Sequence, residues 1–243
     1  TALAFAEWEA QGLEVPQLDR MREFRLQRLV EQLQQRDYGG ILLFDPLNIR
    51  YATDTTNMQL WITHNPARAC FVSADGYIVL FDFHSCDHLS DHLPLVREVR
   101  GGASFFYFES AERGPEHAGR FAATIDDLMR THAGSNRRLA VDKIEIGGLR
   151  ALEKTGLEVF EGQAVTELAR VIKGPDEINA SHCAVAACEA AMYEMEAAIE
   201  AGKSENEIWS VLHAGNIKRG GEWLETRIFS SGPRTNPWFQ ESE

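Results

Sequence analysis

The chain has 243 residues, with 24 Lys and Arg against 37 Asp and Glu, so its net charge is −13 when the histidines are neutral. This acidic balance excludes nucleic-acid binding, which depends on clustered cations that neutralise backbone phosphates. Hydrophobic residues make up 44% of the chain and charged residues 25%, which is typical of a globular protein and not of a disordered one.

Neither a membrane span nor a secretion signal is expected. No stretch approaches the roughly 18 consecutive apolar residues of a transmembrane helix. Glu7 and Glu9 stand where a signal peptide needs an apolar run. The cysteines at positions 70, 86, 183 and 188 lack both metal-site spacing and the density of a disulfide scaffold, so buried free thiols are expected. These features favour a cytoplasmic protein.

The first 173 residues predict helices that alternate with strands. Residues 1–20 are interpreted as an N-terminal arm, because apolar side chains such as Phe5 and Trp8 precede any periodic pattern. Helices are predicted at 21–36, 117–131 and 147–154, and strands at 41–44, 69–73, 77–83, 96–99, 104–108, 138–142 and 157–160. Asp75-Gly76 predicts a hairpin between the second and third of these strands. The alternation indicates an α/β layer structure over 21–173.

A domain boundary is predicted at residue 174, where Gly174-Pro175 and the following acidic residues mark the start of a long helix to Gly202. Ser204 and Glu207 fit a capping box, so a second helix is expected to about Lys218. A strand is predicted at 223–230. A single strand cannot cover the apolar face of two helices, and its backbone N–H and C=O groups need hydrogen bonds from a neighbouring strand. The domain at 174–243 is therefore expected to be incomplete. Either the sequence is a fragment or another chain supplies the rest.

A group of histidines and aspartates at 84–92 contains the densest set of metal-ligand residue types. On a helix, His84, His88 and His92 would share one face and could chelate zinc. The group directly follows a strand, however, and Pro94 ends any helix early. We therefore expect a solvated or locally hydrogen-bonded face, and no metal site, at these residues.

Two aromatic and polar segments are the candidate binding regions. The first is predicted to be a shaped loop at 48–66, with Arg50, Tyr51, Trp61 and His64 suited to a small charged ligand or a partner subunit. The alternative is that Tyr51 and Trp61 pack the loop onto the sheet. The second segment contains Arg234, Asn236, Trp238 and Phe239 between glycine and proline residues, and we favour a binding site there over simple packing. No nucleophile motif or phosphate-binding glycine loop is present.

Three motifs resemble the creatinase and aminopeptidase P family. The run from Arg170 to Ile178 is similar to that family's R-x-I-K-x-x-x-E-I join between domains, and Gly202 to Glu207 is similar to its G-x-[ST]-E-x-E turn. Asn48 to Thr53 resembles the N-[IV]-x-Y-x-[TS] element of its N-terminal domain. The resemblance covers about residues 20–243. It implies an α/β (α+β) architecture in which a creatinase-like N-terminal α/β domain is followed by an incomplete pita-bread catalytic domain.

Within that family the chain looks most like the DddP-type dimethylsulfoniopropionate lyases of marine bacteria. The stretches that carry this likeness run from Asp54 to Trp61, from Arg219 to Thr226 and from Ser231 to Glu241. In the peptidases the last stretch usually carries a substrate-handling histidine, whereas Asn236-Pro237-Trp238 stands here. This difference favours a small, zwitterionic, non-peptide substrate.

The resemblance also implies a divalent or trivalent metal ion, iron or another transition metal. Its family ligands are two Asp, one His and two Glu on later strands, and none of them maps onto this sequence; the catalytic residues are likewise expected beyond Glu243. A homodimer is expected from the apolar arm at 1–20 and the aromatic loop at 48–65. The resemblance adds to this, because in this family the N-terminal domain of one subunit borders the active site of the other. Two alternatives stay open: an aminopeptidase P-like or creatinase-like metallohydrolase, and a non-catalytic pita-bread module for binding or dimerisation.

Overall fold

The computed structural model describes residues 1–222, 224, 226–237 and 241–242. The chain divides into two compact units. We call residues 18–173 the sheet unit, and residues 1–17 together with 174–243 the helical unit. Within the described residues, no helix is long and apolar enough to cross a lipid bilayer.

The sheet unit, all of whose residues are described, contains a sheet of six strands in the order β4-β3-β2-β1-β5-β6. These strands are β1 (Gly40–Leu43), β2 (Ala69–Ser73), β3 (Ile78–Phe81), β4 (Val96–Arg100), β5 (Arg138–Val141) and β6 (Glu158–Glu161). Strand β2 is antiparallel to both β1 and β3, whereas the β1/β5, β3/β4 and β5/β6 pairs are parallel. The predicted hairpin is confirmed, and Gly76 at its turn has φ +86°, a value that glycine adopts without strain.

Helices cover both faces of this sheet. They are α2 (Leu18–Gln35), α3 (Pro46–Thr53), α4 (Gln59–Ile62), α5 (Tyr107–Ser110), α6 (Gly114–Ala133), α7 (Ile146–Lys154) and α8 (Gln163–Val171). Leu42 packs with Phe121 of α6 on one face, while its neighbours Ile41 and Leu43 pack with Leu29 of α2 on the other. Alternate strand residues thus supply two separate apolar cores, as a doubly covered sheet requires.

Two sequence predictions in this unit are wrong. Residues 48–66 were expected to form a loop, but most of the segment belongs to α3 and α4. Residues 104–108 were expected to form a strand, but the segment leads into α5. Phe105 and Phe106 are adjacent and both buried, whereas Tyr107 and Phe108 are both exposed, so the run lacks the alternating burial of a strand.

The helical unit contains α1 (Ala2–Ala10), α9 (Pro175–Ala197) and α10 (Glu205–Lys218). The predicted capping box of α10 is confirmed: the Glu207 backbone N–H donates to Ser204 Oγ over 3.2 Å, and the Ser204 backbone N–H donates to a Glu207 carboxylate oxygen over 2.7 Å. Helix α9 ends at Ala197, five residues before the predicted end at Gly202. In the predicted strand at 223–230, the described residues (224 and 226–230) are not in a strand, so the prediction is wrong for them.

The predicted N-terminal arm is helical and packs within the helical unit. The indole N–H of Trp8 donates to the Cys183 carbonyl of α9 over 2.8 Å. Arg219, which directly follows α10, donates to the Glu7 carboxylate over 2.7 and 2.8 Å and to Glu194 over 2.9 Å. One buried guanidinium therefore links α1, α9 and the end of α10.

The four cysteines are all free thiols. Cys70 and Cys183 are buried, as expected, and burial raises the pKa of both thiols. Cys86 is half-buried and Cys188 is exposed, so the expectation of burial is wrong for these two.

Candidate functional site

Helix α3 places the first candidate segment at the ends of β1 and β5. Asp45 caps this helix, because its carboxylate accepts the backbone N–H of Leu47 over 2.9 Å and that of Asn48 over 3.4 Å. Pro46 suits the first helical position, because the backbone N–H that proline lacks would have no acceptor within the helix there. Asp54 ends the helix in a left-handed conformation. These boundary residues explain why an aromatic, polar stretch forms a helix and not a loop.

Asn48 of the family-like motif has a structural partner that sequence reasoning missed. Its amide donates to Asp142 over 2.9 Å, and the same carboxyl accepts the backbone N–H groups of Phe44, Asp45 and Lys143. Burial raises the pKa of Asp142 even though these four donors favour its charged form. Asp142 thereby joins the carboxyl ends of β1 and β5, and Asn48 helps to hold it.

Tyr51 and Arg50 lie on the same helix. Tyr51 is 8% exposed, its hydroxyl donates to the Ala169 carbonyl over 3.2 Å, and the Arg25 guanidinium lies 5.3 Å from its ring centre. Arg50 is half-buried. Tyr51 therefore packs inside the sheet unit, which matches the packing alternative, and a ligand-binding role for either residue stays a prediction.

Trp61 belongs to a cluster of aromatic side chains, which we call the aromatic cluster. Its ring centre lies 5.7 Å from that of Phe83 and 6.2 Å from that of Phe106, and Phe106 stacks on Phe108 at 6.4 Å. Phe108 is 82% exposed. His64 is also exposed and lies beside the Thr63 hydroxyl at 3.2 Å. The cluster offers an accessible aromatic surface of the kind that recognises alkylated cations or another protein.

Asp82, which directly precedes Phe83 of the aromatic cluster, belongs to a buried ion pair that sequence reasoning also missed. The Arg68 guanidinium donates to both oxygens of Asp82, over 3.0 and 2.8 Å, and each side chain is 1% exposed. Thr55 accepts a further hydrogen bond from Arg68, and Asn57 donates to Asp82. The pair therefore fixes the segment between α3 and α4 against β2 and β3. No local sequence pattern indicates it, because a single Arg before β2 and a single Asp after β3 resemble ordinary surface charges.

The second candidate segment lies in the helical unit. Glu205, the first residue of α10, is buried, and it accepts hydrogen bonds from the Ser231 backbone N–H over 2.6 Å and the Ser231 hydroxyl over 2.9 Å. Arg234 forms an ion pair with Glu205 at 3.4 Å and donates to the Glu241 carbonyl. Asn236 is exposed. The structure thus brings Arg234 to Glu205, while Trp238 and Phe239 lie outside the described residues.

The histidine and aspartate group at 84–92 does not form the helix that a zinc site would require. Ser85 has φ +61°, and the following helical turn is a short 3₁₀ segment, Asp87–Ser90. His84, His88 and His92 are all exposed. Across the part of the chain that the structure describes, no three His, Cys, Asp or Glu side chains are placed to hold a metal ion. The described residues therefore do not fit a metal centre.

Comparison with known proteins places this architecture in a family. Residues 25–172 match the creatinase/prolidase N-terminal domain. The chain is 56% identical over 246 residues to the dimethylsulfoniopropionate lyase DddP of Roseovarius nubinhibens, and 53% identical to that of Roseobacter denitrificans. Each match covers 99% of this chain and 55% of the relative, so the chain spans about half the length of these curated relatives.

Solved structures agree on the fold. The prolidase from Pyrococcus furiosus has a TM-score of 0.66 at 16% identity, covering 90% of this chain and 60% of that one. Dipeptidase PepE from Mycobacterium ulcerans has a TM-score of 0.61 at 16% identity, covering 92% and 56%. At this identity the likeness concerns the fold alone, and it confirms the predicted α/β class. With the domain match over 25–172, the chain belongs to the creatinase/prolidase family.

Proposed function

We propose that the complete protein is a lyase that cleaves dimethylsulfoniopropionate into dimethyl sulfide and acrylate. The observation that carries this proposal is the 56% identity, over 99% of this chain, to a protein named as that lyase. The prolidase structures share the fold at 16% identity, which is too distant to support peptide hydrolysis.

The reaction needs a base and a pocket suited to a zwitterion. A base removes a proton from the carbon next to the carboxylate, that electron pair forms the new carbon–carbon double bond, and the carbon–sulfur bond breaks with its electrons going to sulfur. The products are acrylate, neutral dimethyl sulfide and the protonated base. Because the sulfonium group is already a good leaving group, no nucleophile is required.

Two kinds of side chain in this chain suit the ends of such a substrate. A guanidinium such as that of Arg234 binds a carboxylate, although its ion pair with Glu205 already uses part of its charge. Aromatic faces attract an alkylated cation, and Trp238 and the aromatic cluster around Trp61 supply such faces. We propose these residues for substrate binding.

We further propose that the complete protein carries a transition-metal ion, iron being one candidate, bound by residues beyond Glu243. The described residues do not provide its ligands. Elemental analysis of the purified complete protein tests this point independently of activity. A cytoplasmic location is also proposed, and cell fractionation with a periplasmic marker tests it.

The activity itself is tested by incubating the complete protein with dimethylsulfoniopropionate and measuring headspace dimethyl sulfide together with acrylate. Equal amounts of the two products support the elimination. Dimethyl sulfide accompanied by a hydroxylated acid in place of acrylate would point to a substitution by water and would refute the proposed reaction.

A further inference from the structure

Glu205 is a buried carboxylate at the start of α10, and its side chain is only 7% exposed. A carboxylate that is removed from water needs hydrogen-bonding or ionic partners. Capping of the helix does not account for its burial, because Ser204 and Glu207 already form the capping box of α10. The partners of Glu205 come instead from a later part of the chain, the 227–242 segment.

Two residues of this segment contact the two oxygens of Glu205. Oε1 accepts the Ser231 backbone N–H over 2.6 Å and the Ser231 hydroxyl over 2.9 Å. Oε2 lies 3.4 Å from Nε of Arg234, whose side chain is 28% exposed. Because both charged groups are largely shielded from solvent, salt screens their attraction less than that of a surface pair. One carboxylate thus holds the segment at two positions.

The 227–242 segment depends on such side-chain contacts for its position. Among its described residues, regular structure is limited to one 3₁₀ turn, Gly232–Thr235. Its two ends meet, because the Ser242 backbone N–H donates to the Arg227 carbonyl over 3.0 Å. A loop that closes in this way is positioned by side chains and not by a ladder of strand hydrogen bonds. The contacts with Glu205 attach it to α10.

These contacts also fix the orientation of the Arg234 guanidinium. This group is planar and carries five N–H donors in a rigid arrangement. Its Nε faces Glu205, and its Nη2 donates to the Glu241 carbonyl. Two points on a planar group are therefore held, which sets the direction of its plane. A guanidinium that is held in advance loses less side-chain freedom when it binds a carboxylate.

The charge of Glu205 also has an opposing effect, because it repels a carboxylate that approaches Arg234. The two donors of Ser231 take up part of this charge through charge-assisted hydrogen bonds. The two effects predict opposite results. If orientation dominates, removing the Glu205 charge weakens carboxylate binding, and if repulsion dominates, it strengthens that binding.

We infer that Glu205 is a positioning residue, which holds Arg234 in the orientation that binds the carboxylate end of the substrate. The inference rests on the substrate-binding role proposed above for Arg234. Glu205 acts through Arg234 and does not itself touch the substrate.

Calorimetric titration of the complete protein with propionate and with trimethylsulfonium tests this role. Propionate has the carboxylate without the cation, and trimethylsulfonium has the cation without the carboxylate. Glu205→Gln keeps an oxygen that accepts from Ser231 but loses the charge that faces Arg234. It should weaken propionate binding about two- to tenfold, the range of one hydrogen bond, and leave trimethylsulfonium binding unchanged. Unchanged or tighter propionate binding, equal weakening of both ligands, or a parent protein that does not bind propionate overturns the inference.

Two further variants separate positioning from general damage. Glu207→Gln is the matched control, because it is the same change in the same turn of α10 and glutamine also completes a capping box; it should leave both affinities unchanged. In an Arg234→Gln background, Glu205→Gln should cause no further loss of propionate affinity, and an additive loss contradicts the inference. Melting temperatures confirm folding. If Glu205→Gln does not fold, Glu205→Asp replaces it and should weaken propionate binding too, because its shorter side chain does not reach Arg234.

Kinetics on the complete protein distinguishes this inference from the proposed lyase activity. Glu205→Gln should raise KM for dimethylsulfoniopropionate by the factor found with propionate and leave kcat within about twofold, as expected when substrate binding alone is weakened. Dimethyl sulfide release with an unchanged KM refutes the positioning role and leaves the lyase activity standing. The predicted loss of propionate affinity without dimethyl sulfide release from the parent supports the positioning of Arg234 and refutes the lyase activity.

Discussion

Arg68 and Asp82 carry opposite charges in the interior of the sheet unit, where each side chain is 1% exposed. The pair makes further hydrogen bonds: Asn57 and the Phe83 backbone N–H donate to Asp82, and Arg68 donates to the Thr55 hydroxyl, so these contacts compensate part of its desolvation. Neither residue stands out in the sequence, because a single Arg and a single Asp at strand ends resemble ordinary surface charges.

Replacing one member of this pair leaves the other charge buried and unpaired. Asp82→Asn is therefore expected to lower the free energy of unfolding by about 3–5 kcal/mol, measured by urea denaturation of the complete protein. The double variant Arg68→Met with Asp82→Leu removes both charges and should recover most of this loss. A loss below about 1 kcal/mol for Asp82→Asn shows that water reaches the pair and that it is not a buried ion pair.

Trp238 is proposed to contact the sulfonium group of the substrate. A cation–aromatic contact is worth about 0.5–2 kcal/mol, so Trp238→Leu is expected to lower kcat/KM for dimethylsulfoniopropionate by about two- to thirtyfold. Trp8→Phe is the matched control, because the indole of Trp8 donates to the Cys183 carbonyl and has a structural contact of its own. That variant should lower the melting temperature and leave kcat/KM unchanged. If Trp238→Leu melts early with unchanged kcat/KM, Trp238 belongs to the core and not to the substrate site.

At the scale of elements, Arg219 connects three helices of the helical unit through Glu7 and Glu194. The hydrogen bond from Arg219 is the largest cause that holds the pKa of Glu194 below its ordinary value. A carboxyl whose pKa is lowered on folding contributes stability above its unfolded pKa, and this contribution is lost as the pH falls through the folded pKa.

The stability of the helical unit should therefore fall with acidification below about pH 4.3, the ordinary value for Glu. Glu194→Gln is expected to be less stable than the parent at pH 7, and the difference between the two proteins should shrink below pH 4. Glu200→Gln is a control, because Glu200 lies three residues after the end of α9 and pairs with Lys203, whereas Arg219 pairs with Glu7 and Glu194. Melting curves at pH 7 and pH 3.5 measure the difference in stability between the parent and Glu194→Gln. A difference that is the same at both pH values contradicts the role of the Glu194 charge.

Elements with a local sequence signal are predicted correctly, whereas contacts between residues far apart in the chain are not. The hairpin at 69–83 and the capped helix after Ser204 have local signals, Asp-Gly and Ser-x-x-Glu, and both were correct. Helix α3 was missed because its signal lies outside the aromatic stretch, in the Asp45-Pro46 pair that caps it. Asp142 and Asn48 are 94 residues apart, so their hydrogen bond follows from the β1/β5 pairing and from no local pattern. The candidate binding residues were chosen by residue type, and type alone did not separate the buried Tyr51 from the half-buried Trp61.

At the scale of the whole molecule, the chain spans 55% of the length of the lyases it resembles. We propose that the complete protein is a homodimer, and the support is the exposed aromatic cluster, in which Phe108 is 82% exposed. The N-terminal arm gives less support than the sequence indicated, because Trp8 is bonded within its own unit. Sedimentation equilibrium at micromolar concentration should give twice the mass of one chain, and Phe108→Ser should shift it toward the monomer. A fully active monomer would disprove the dimer.

We propose that the complete protein, whose fold prolidases share, performs an elimination on a small zwitterion. The most direct measurement compares kcat/KM of the purified complete protein for dimethylsulfoniopropionate and for an Xaa-Pro dipeptide, with dimethyl sulfide and free proline as the two readouts. We predict dimethyl sulfide release with kcat/KM at least a hundredfold above that for the dipeptide. Proline release with no dimethyl sulfide would contradict the proposed lyase activity and identify a hydrolase, and the absence of both products would identify a non-catalytic module.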